Sequence, residues 1–172
     1  MSMSVRPAID VAVTVDPSGA VYTAGMTVGG PPSDARSGYW NAYVRKHDAN
    51  GTEVWTRVFQ VAGTPYTGGT AASGLTTDGS GKVVVIGTTG YPEQRGPGLD
   101  AFARGFDAAG RELWAHQFGT PDRDGAASVA LSADGAVYIV GSTQLVQLNQ
   151  PMVSEAFIVK MSSAALTSGV SQ

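Results

Sequence analysis

The sequence predicts an all-β protein assembled from repeated four-stranded antiparallel sheets, and three observations predict it. One phrase occurs three times, as Gly19-Ala-Val-Tyr-Thr-Ala-Gly-Met-Thr27, Gly81-Lys-Val-Val-Val-Ile-Gly-Thr-Thr89 and Gly135-Ala-Val-Tyr-Ile-Val-Gly-Ser-Thr143: a glycine, an apolar run, then Gly-x-Thr. A second phrase alternates with it, Asn41-Ala-Tyr-Val-Arg-Lys-His-Asp-Ala-Asn-Gly-Thr-Glu-Val-Trp55 and Asp100-Ala-Phe-Ala-Arg-Gly-Phe-Asp-Ala-Ala-Gly-Arg-Glu-Leu-Trp114. Glycine (23) and proline (9) fall between short apolar runs, which is the punctuation of a chain with many turns and no long helix. The repeats return at intervals of 54 to 62 residues, just above the lengths typical of β-propeller blades, so the architecture expected is a propeller.

Each element follows from period-two alternation and the turn residues that bound it. Two strands, about 9–15 and 20–26, precede the first complete repeat and make a half blade over 9–26. The first complete blade spans 41–88, with strands near 41–47, 53–59, 71–77 and 82–88. The second spans 100–142, with strands near 100–106, 112–118, 126–132 and 136–142. A half blade at 155–161 follows. Residues 1–8 and 162–172 are tails, the latter with a weak twelfth strand at 166–170.

Tight connections carry their own chemistry, in Asp16-Pro-Ser-Gly19, Asp48-Ala-Asn-Gly51, Asp78-Gly-Ser-Gly81, Asp107-Ala-Ala-Gly110 and the shifted Ser132-Ala-Asp-Gly135. An aspartate can accept backbone N–H bonds two residues on, and the glycine takes the positive φ that closes a bulged type I hairpin. One carboxylate per turn, on turns spread over the molecule, cannot gather the six or more oxygens calcium needs, so no metal is expected. Because antiparallel strands alternate in direction, these hairpins must share one end of the sheets, and the longer connections the other. Binding residues usually sit on loops held by a rigid scaffold, which directs attention to the long-loop end. The candidate binding set there is Asp34, Arg36, Tyr39, Tyr66, Tyr91, Glu93, Arg95, Asp122, Arg123 and Asp124, aromatic rings for stacking beside charged groups that give direction.

Composition excludes several classes. The net charge of −3 is interspersed, without the basic patch of a nucleic-acid binder. No cysteine is present for thiolate catalysis, disulfides or a Cys-type zinc site. The first residues hold no apolar stretch of signal-peptide length and no run approaches a membrane span, so membrane insertion is not expected. His47 and His116 occupy non-equivalent repeat positions and suggest no triad, and no cofactor motif is legible. Trp55 and Trp114, each four residues after a turn glycine, read as repeated core.

The run from Asp100 to Thr120, followed by Asp124 and then Val129 through Thr143, resembles the SBBP repeat of bacterial β-propellers over about residues 9–161. The pattern departs at Gly105, where that family usually has the lysine kept at Lys46 and Lys160. It departs also in Gly63-Thr-Pro-Tyr-Thr-Gly68, which lacks the acids of Gly119-Thr-Pro-Asp-Arg-Asp124. The resemblance implies a four-stranded blade per repeat, no single activity, and an extracellular or cell-surface setting. The Asp-x-x-Gly-x-x-x-Trp phrase is also similar to the tryptophan-docking motif of quinoprotein dehydrogenases, but the spacing differs and the cysteine pair is missing.

About three blades cannot close a ring that usually needs about four to eight. The expectation is therefore a homo-oligomer, first a homodimer of about six blades with the half-units pairing across the junction. The function expected is that of a non-enzymatic module presenting its loop face to a protein or glycan. The alternatives are a hydrolase using loop-face carboxylates and a structural building block of a surface assembly.

Overall fold

The computed structural model of the chain describes residues 8–28, 40–61, 69–89, 98–145 and 153–163. These hold eleven strands: β1 (Ala8–Val15), β2 (Val21–Val28), β3 (Trp40–His47), β4 (Glu53–Phe59), β5 (Thr70–Thr77), β6 (Val83–Thr89), β7 (Ala101–Phe106), β8 (Glu112–Phe118), β9 (Arg123–Leu131), β10 (Val137–Leu145) and β11 (Val153–Met161). There is no helix among the described residues. The weak strand expected at 166–170 lies outside them.

The strands form three antiparallel sheets, β1-β2-β3-β4, β5-β6-β7-β8 and a three-stranded β9-β10-β11, and none closes into a barrel. The period expected from sequence is present, but its phase is displaced by two strands. Grouping 41–88 and 100–142 as units would put β3 to β6 in one sheet and β7 to β10 in another. Instead β4 and β8 are sheet edges, and the chain crosses to a new sheet after each. Segment 9–26 is accordingly no half unit, because β2 is bonded to β3 along its whole length.

The physical reason lies in three glycines. Gly25, Gly87 and Gly141 of the Gly-x-Thr phrase stand directly opposite Tyr43, Phe102 and Phe157 on the next strand. A methyl group on Gly87 would sit 2.6 Å from the Phe102 ring, and one on Gly141 2.4 Å from that of Phe157. At Gly87 and Gly141 the bare glycine thus gives the aromatic ring its seat, and that seat exists only if β6-β7 and β10-β11 are hydrogen-bonded neighbours; a methyl group on Gly25 would first meet the Ile9 carbonyl of β1. A repeat fixes a period, whereas this cross-strand fit fixes where the sheets begin. Each first strand also carries a one-residue bulge at the same level, opposite the glycine: Val11 in β1, Ser73 in β5 and Ala127 in β9 are the extra residues.

The sheets stack in chain order with the second in the middle. On one face of sheet 2, Val83, Val85, Phe102 and Phe106 pack with Tyr22, Ala24, Val44, Trp55 and Phe59 of sheet 1. On the other, Val84, Ile86, Ala103 and Trp114 pack with Ala126, Val137 and Ile139 of sheet 3. The consecutive apolar run Val83–Ile86 therefore buries both its faces, as sequence without alternation does in a central layer. The first strands β1, β5 and β9 adjoin one another along the stack. Polar clamps reinforce the first junction. Arg57 donates through Nε to the Gly110 carbonyl at 2.7 Å, and Arg104 donates to the Gln60 carbonyl at 2.9 Å while lying over the Phe59 ring.

The hairpins behave as their sequences predict. Asp16, Asp48, Asp78 and Asp107 each accept, through Oδ1, backbone N–H bonds from the residues two and four positions on. Gly19, Gly51, Gly81 and Gly110 all take positive φ. The Ser18 hydroxyl above all holds the Asp16 carboxyl below its ordinary pKa, and the Arg111 backbone N–H does the same for Asp107. Four of these turns share one end of the stack: a methyl group on Gly19 would meet Ala49, one on Gly79 would meet Pro17, and one on Gly81 would meet Ala108.

Candidate functional site

The opposite end carries the connections between sheets, and one corner of it is fully described. There residues 98–100, leading into β7, run beside residues 122–124, leading into β9. Gly98 N donates to the Asp122 carbonyl at 2.9 Å, Asp124 N donates to the Leu99 carbonyl at 2.6 Å, and Leu99 and Arg123 form a parallel bridge. The corner thus links sheet 2 to sheet 3 through backbone.

Asp124 is its buried centre. Oδ2 accepts from Thr120 N at 2.5 Å and from Thr120 Oγ1 at 2.9 Å, and Oδ1 accepts from Thr143 Oγ1 at 2.5 Å. One carboxylate therefore holds the crossing loop and the middle strand of sheet 3 together. Close by, Asp100 Oδ2 accepts from Gln117 Nε2 at 2.5 Å, and Gly119 separates the two acids: a methyl group there would lie 2.5 Å from Asp100 Oδ1 and 2.8 Å from Asp124 Oδ2. The same device recurs one junction earlier with a neutral acceptor, since Val61 N donates to Thr70 Oγ1 at 3.1 Å. Thr70 stands opposite Thr89 as Asp124 stands opposite Thr143.

Of the ten candidate binding residues, this corner gathers Asp122, Arg123 and Asp124. Asp34, Arg36, Tyr39, Tyr66, Tyr91, Glu93 and Arg95 lie outside the described residues. Asp122 and Arg123 are half-buried at the loop end, whereas both oxygens of Asp124 are engaged inside the protein. That inward role was missed in the sequence because the loop before Thr70 is longer than the one before Asp124, which hides their equivalence. Asn41, Asp100 and Glu155 stand opposite Thr27, Thr89 and Thr143. At Asp100 the backbone N donates to Thr89 Oγ1 at 2.8 Å, and the Thr143 hydroxyl turns to Asp124.

His116 lies against Trp114, with ring centroids 5.7 Å apart, and His47 stands opposite Glu53 at the hairpin end. The two histidines join no common cluster, and no group of three or more His, Asp or Glu placed to hold a metal occurs among the described residues. The chemistry of the corner is that of a hydrogen-bonded fastening. Replacing Asp124 with alanine is expected to cost about 1–3 kcal/mol of stability, because the Thr120 N–H and the Thr143 hydroxyl lose their acceptor. Urea unfolding measures this, with Asp124→Asn falling between the two. Compared with known proteins, the chain matches no family model and no curated relative.

Proposed function

We propose that the chain is a non-enzymatic interaction module, a β-propeller of the SBBP-repeat kind whose ring is completed by a second copy and whose loop end binds a protein or glycan partner. The observation that carries this reading is the division between the two ends of the stack. The hairpin end is made of short turns whose aspartates are used up by their own backbone. The far end receives every longer connection, and Asp122 and Arg123 stand there on a corner stiffened by Asp124. Such a corner holds charged groups in place. Two copies would present that end twice, so a weak contact gains by multiplicity. The engagement of both Asp124 oxygens by threonines weighs against its use as a hydrolytic acid or base.

The test is a screen of immobilised glycans and proteins, followed by substitutions at the two ends. Binding found in the screen is expected to fall at least tenfold in Asp122→Ala/Arg123→Ala and to be unchanged in Asn50→Lys or Ser80→Lys at the hairpin end. Binding that follows the hairpin substitutions instead would overturn the assignment of the loop end.

A further inference from the structure

The two outermost faces of the stack are apolar and open, and each repeats a face that is buried inside the same chain. On sheet 1 the open face contains Val13 and Val15, 66% and 57% exposed. By register, Val13 faces Thr23 as Leu75 faces Val85 and Val129 faces Ile139. Likewise Val15 faces Val21 as Thr77 faces Val83 and Leu131 faces Val137. Leu75 packs into the junction between sheets 1 and 2, and Val129 and Leu131 pack into the junction between sheets 2 and 3. Among the described residues, only sheet 1 has no sheet packed before this surface.

Sheet 3 shows the converse. Its open face carries Val140 and Ile158, 42% and 71% exposed. The matching positions are Ala24 and Val44 in sheet 1 and Ile86 and Ala103 in sheet 2, all four fully buried against the sheet that follows. The polar border is copied as well: the Lys160 ammonium lies 5.3 Å from the centre of the Tyr138 ring, as Lys46 lies 5.2 Å from that of Tyr22. In the first junction the Tyr22 hydroxyl reaches the Gly81 turn of the next sheet, and the turn equivalent to Gly81 at the start of the chain is Gly19.

From this continuity with two existing junctions we infer that the open face of sheet 3 docks head to tail on the open face of sheet 1 of a second copy. Ile158 and Val140 enter as Val44 and Ala24 do within the chain, against Val13 and Val15, and Tyr138 comes to rest at the partner copy's Gly19 turn. Unlike faces meet, so the contact is heterologous, and two copies that each give sheet 3 to the other's sheet 1 close at about six sheets. This rests on the oligomeric reading above and adds to it which surfaces meet.

Light scattering on the eluting 172-residue chain, with two substitutions at exposed positions, tests it. The wild type is expected at twice the 17.6 kDa of one chain. Ile158→Glu and Val13→Glu should each elute as single chains with unchanged circular dichroism. An equimolar mixture should regain a two-chain species, because the intact sheet 3 of Val13→Glu meets the intact sheet 1 of Ile158→Glu. Assembly that survives both substitutions, or responds to one alone, overturns this junction while leaving an oligomer in place. A wild type that stays a single chain at micromolar concentration overturns the junction and the oligomeric reading together.

Discussion

Replacing Trp55 with alanine is expected to remove about 3–5 kcal/mol of stability, enough to leave a domain of ordinary stability largely unfolded in mild denaturant. The ring is only 7% exposed and packs edge-on against Tyr22, with centroids 6.2 Å apart. Its Nε1 donates to the Ala108 carbonyl at 3.1 Å, and Arg57 covers its face. Ala108 belongs to a hairpin of sheet 2, and a methyl group on Gly110 of that hairpin would press on the ring at 2.8 Å. Trp55 therefore joins two sheets as well as filling one. Truncation removes the apolar burial and leaves a cavity that the hairpin cannot fill without losing its bonds to Arg57. Guanidinium unfolding followed by far-ultraviolet dichroism measures the loss. A cost under about 1 kcal/mol would mean that the sheets do not depend on each other at this contact.

The second large effect is expected from a single added methyl group, in Gly87→Ala. A Cβ there would stand 2.0 Å from the Ala71 carbonyl oxygen and 2.6 Å from the Phe102 ring. The first neighbour is backbone in the bulged strand and the second is a fully buried aromatic, so neither can yield cheaply. The cost is set at or above the upper end of the range of about 1–3 kcal/mol for overpacking. Gly51→Ala supplies the contrast. That glycine has positive φ but nothing within 4 Å, so only backbone strain of about 1–2 kcal/mol opposes the substitution. The order of the two losses, read from urea midpoints at constant m-value, separates crowding from conformation. If Gly51→Ala proved the more damaging, the seating of Phe102 on Gly87 would be wrong.

The extent to which the fold can be read from sequence follows from which forces are local. Hairpins are local, so Asp-x-x-Gly predicted their bonds and their positive-φ glycines, and the apolar runs between them gave strand positions to within a few residues. The partition into sheets is not local. All consecutive strands are antiparallel candidates, and whether the break falls after β2 or after β4 depends on Phe102 and Phe157 finding glycines across the ladder. The Gly-x-Thr phrase carried that signal, since a glycine inside a strand marks a close approach. The aromatic follows it by 15 to 18 residues and reads as an independent feature.

The same limit applies to the loop-end corner. Asp122, Arg123 and Asp124 are adjacent in sequence and look alike as loop charges. Only the crossing from sheet 2 to sheet 3, which brings Thr120 and Thr143 to Asp124, turns one of them into a buried fastening. The two apolar outer faces follow in kind from the sheet count, because three sheets leave two ends. Their equivalence to buried faces needed the register, which assigns Val13 to the place of Leu75 and Ile158 to that of Val44.

A crystal structure of the 172-residue chain with its neighbours is the most direct test of an open stack completed by copies of itself. Ile158 and Val140 of one molecule are expected to sit against Val13 and Val15 of the next, with Lys160 and Tyr138 beside the partner copy's Gly19 turn. Both outer faces standing in solvent, or both covered by segments of their own chain, would contradict it.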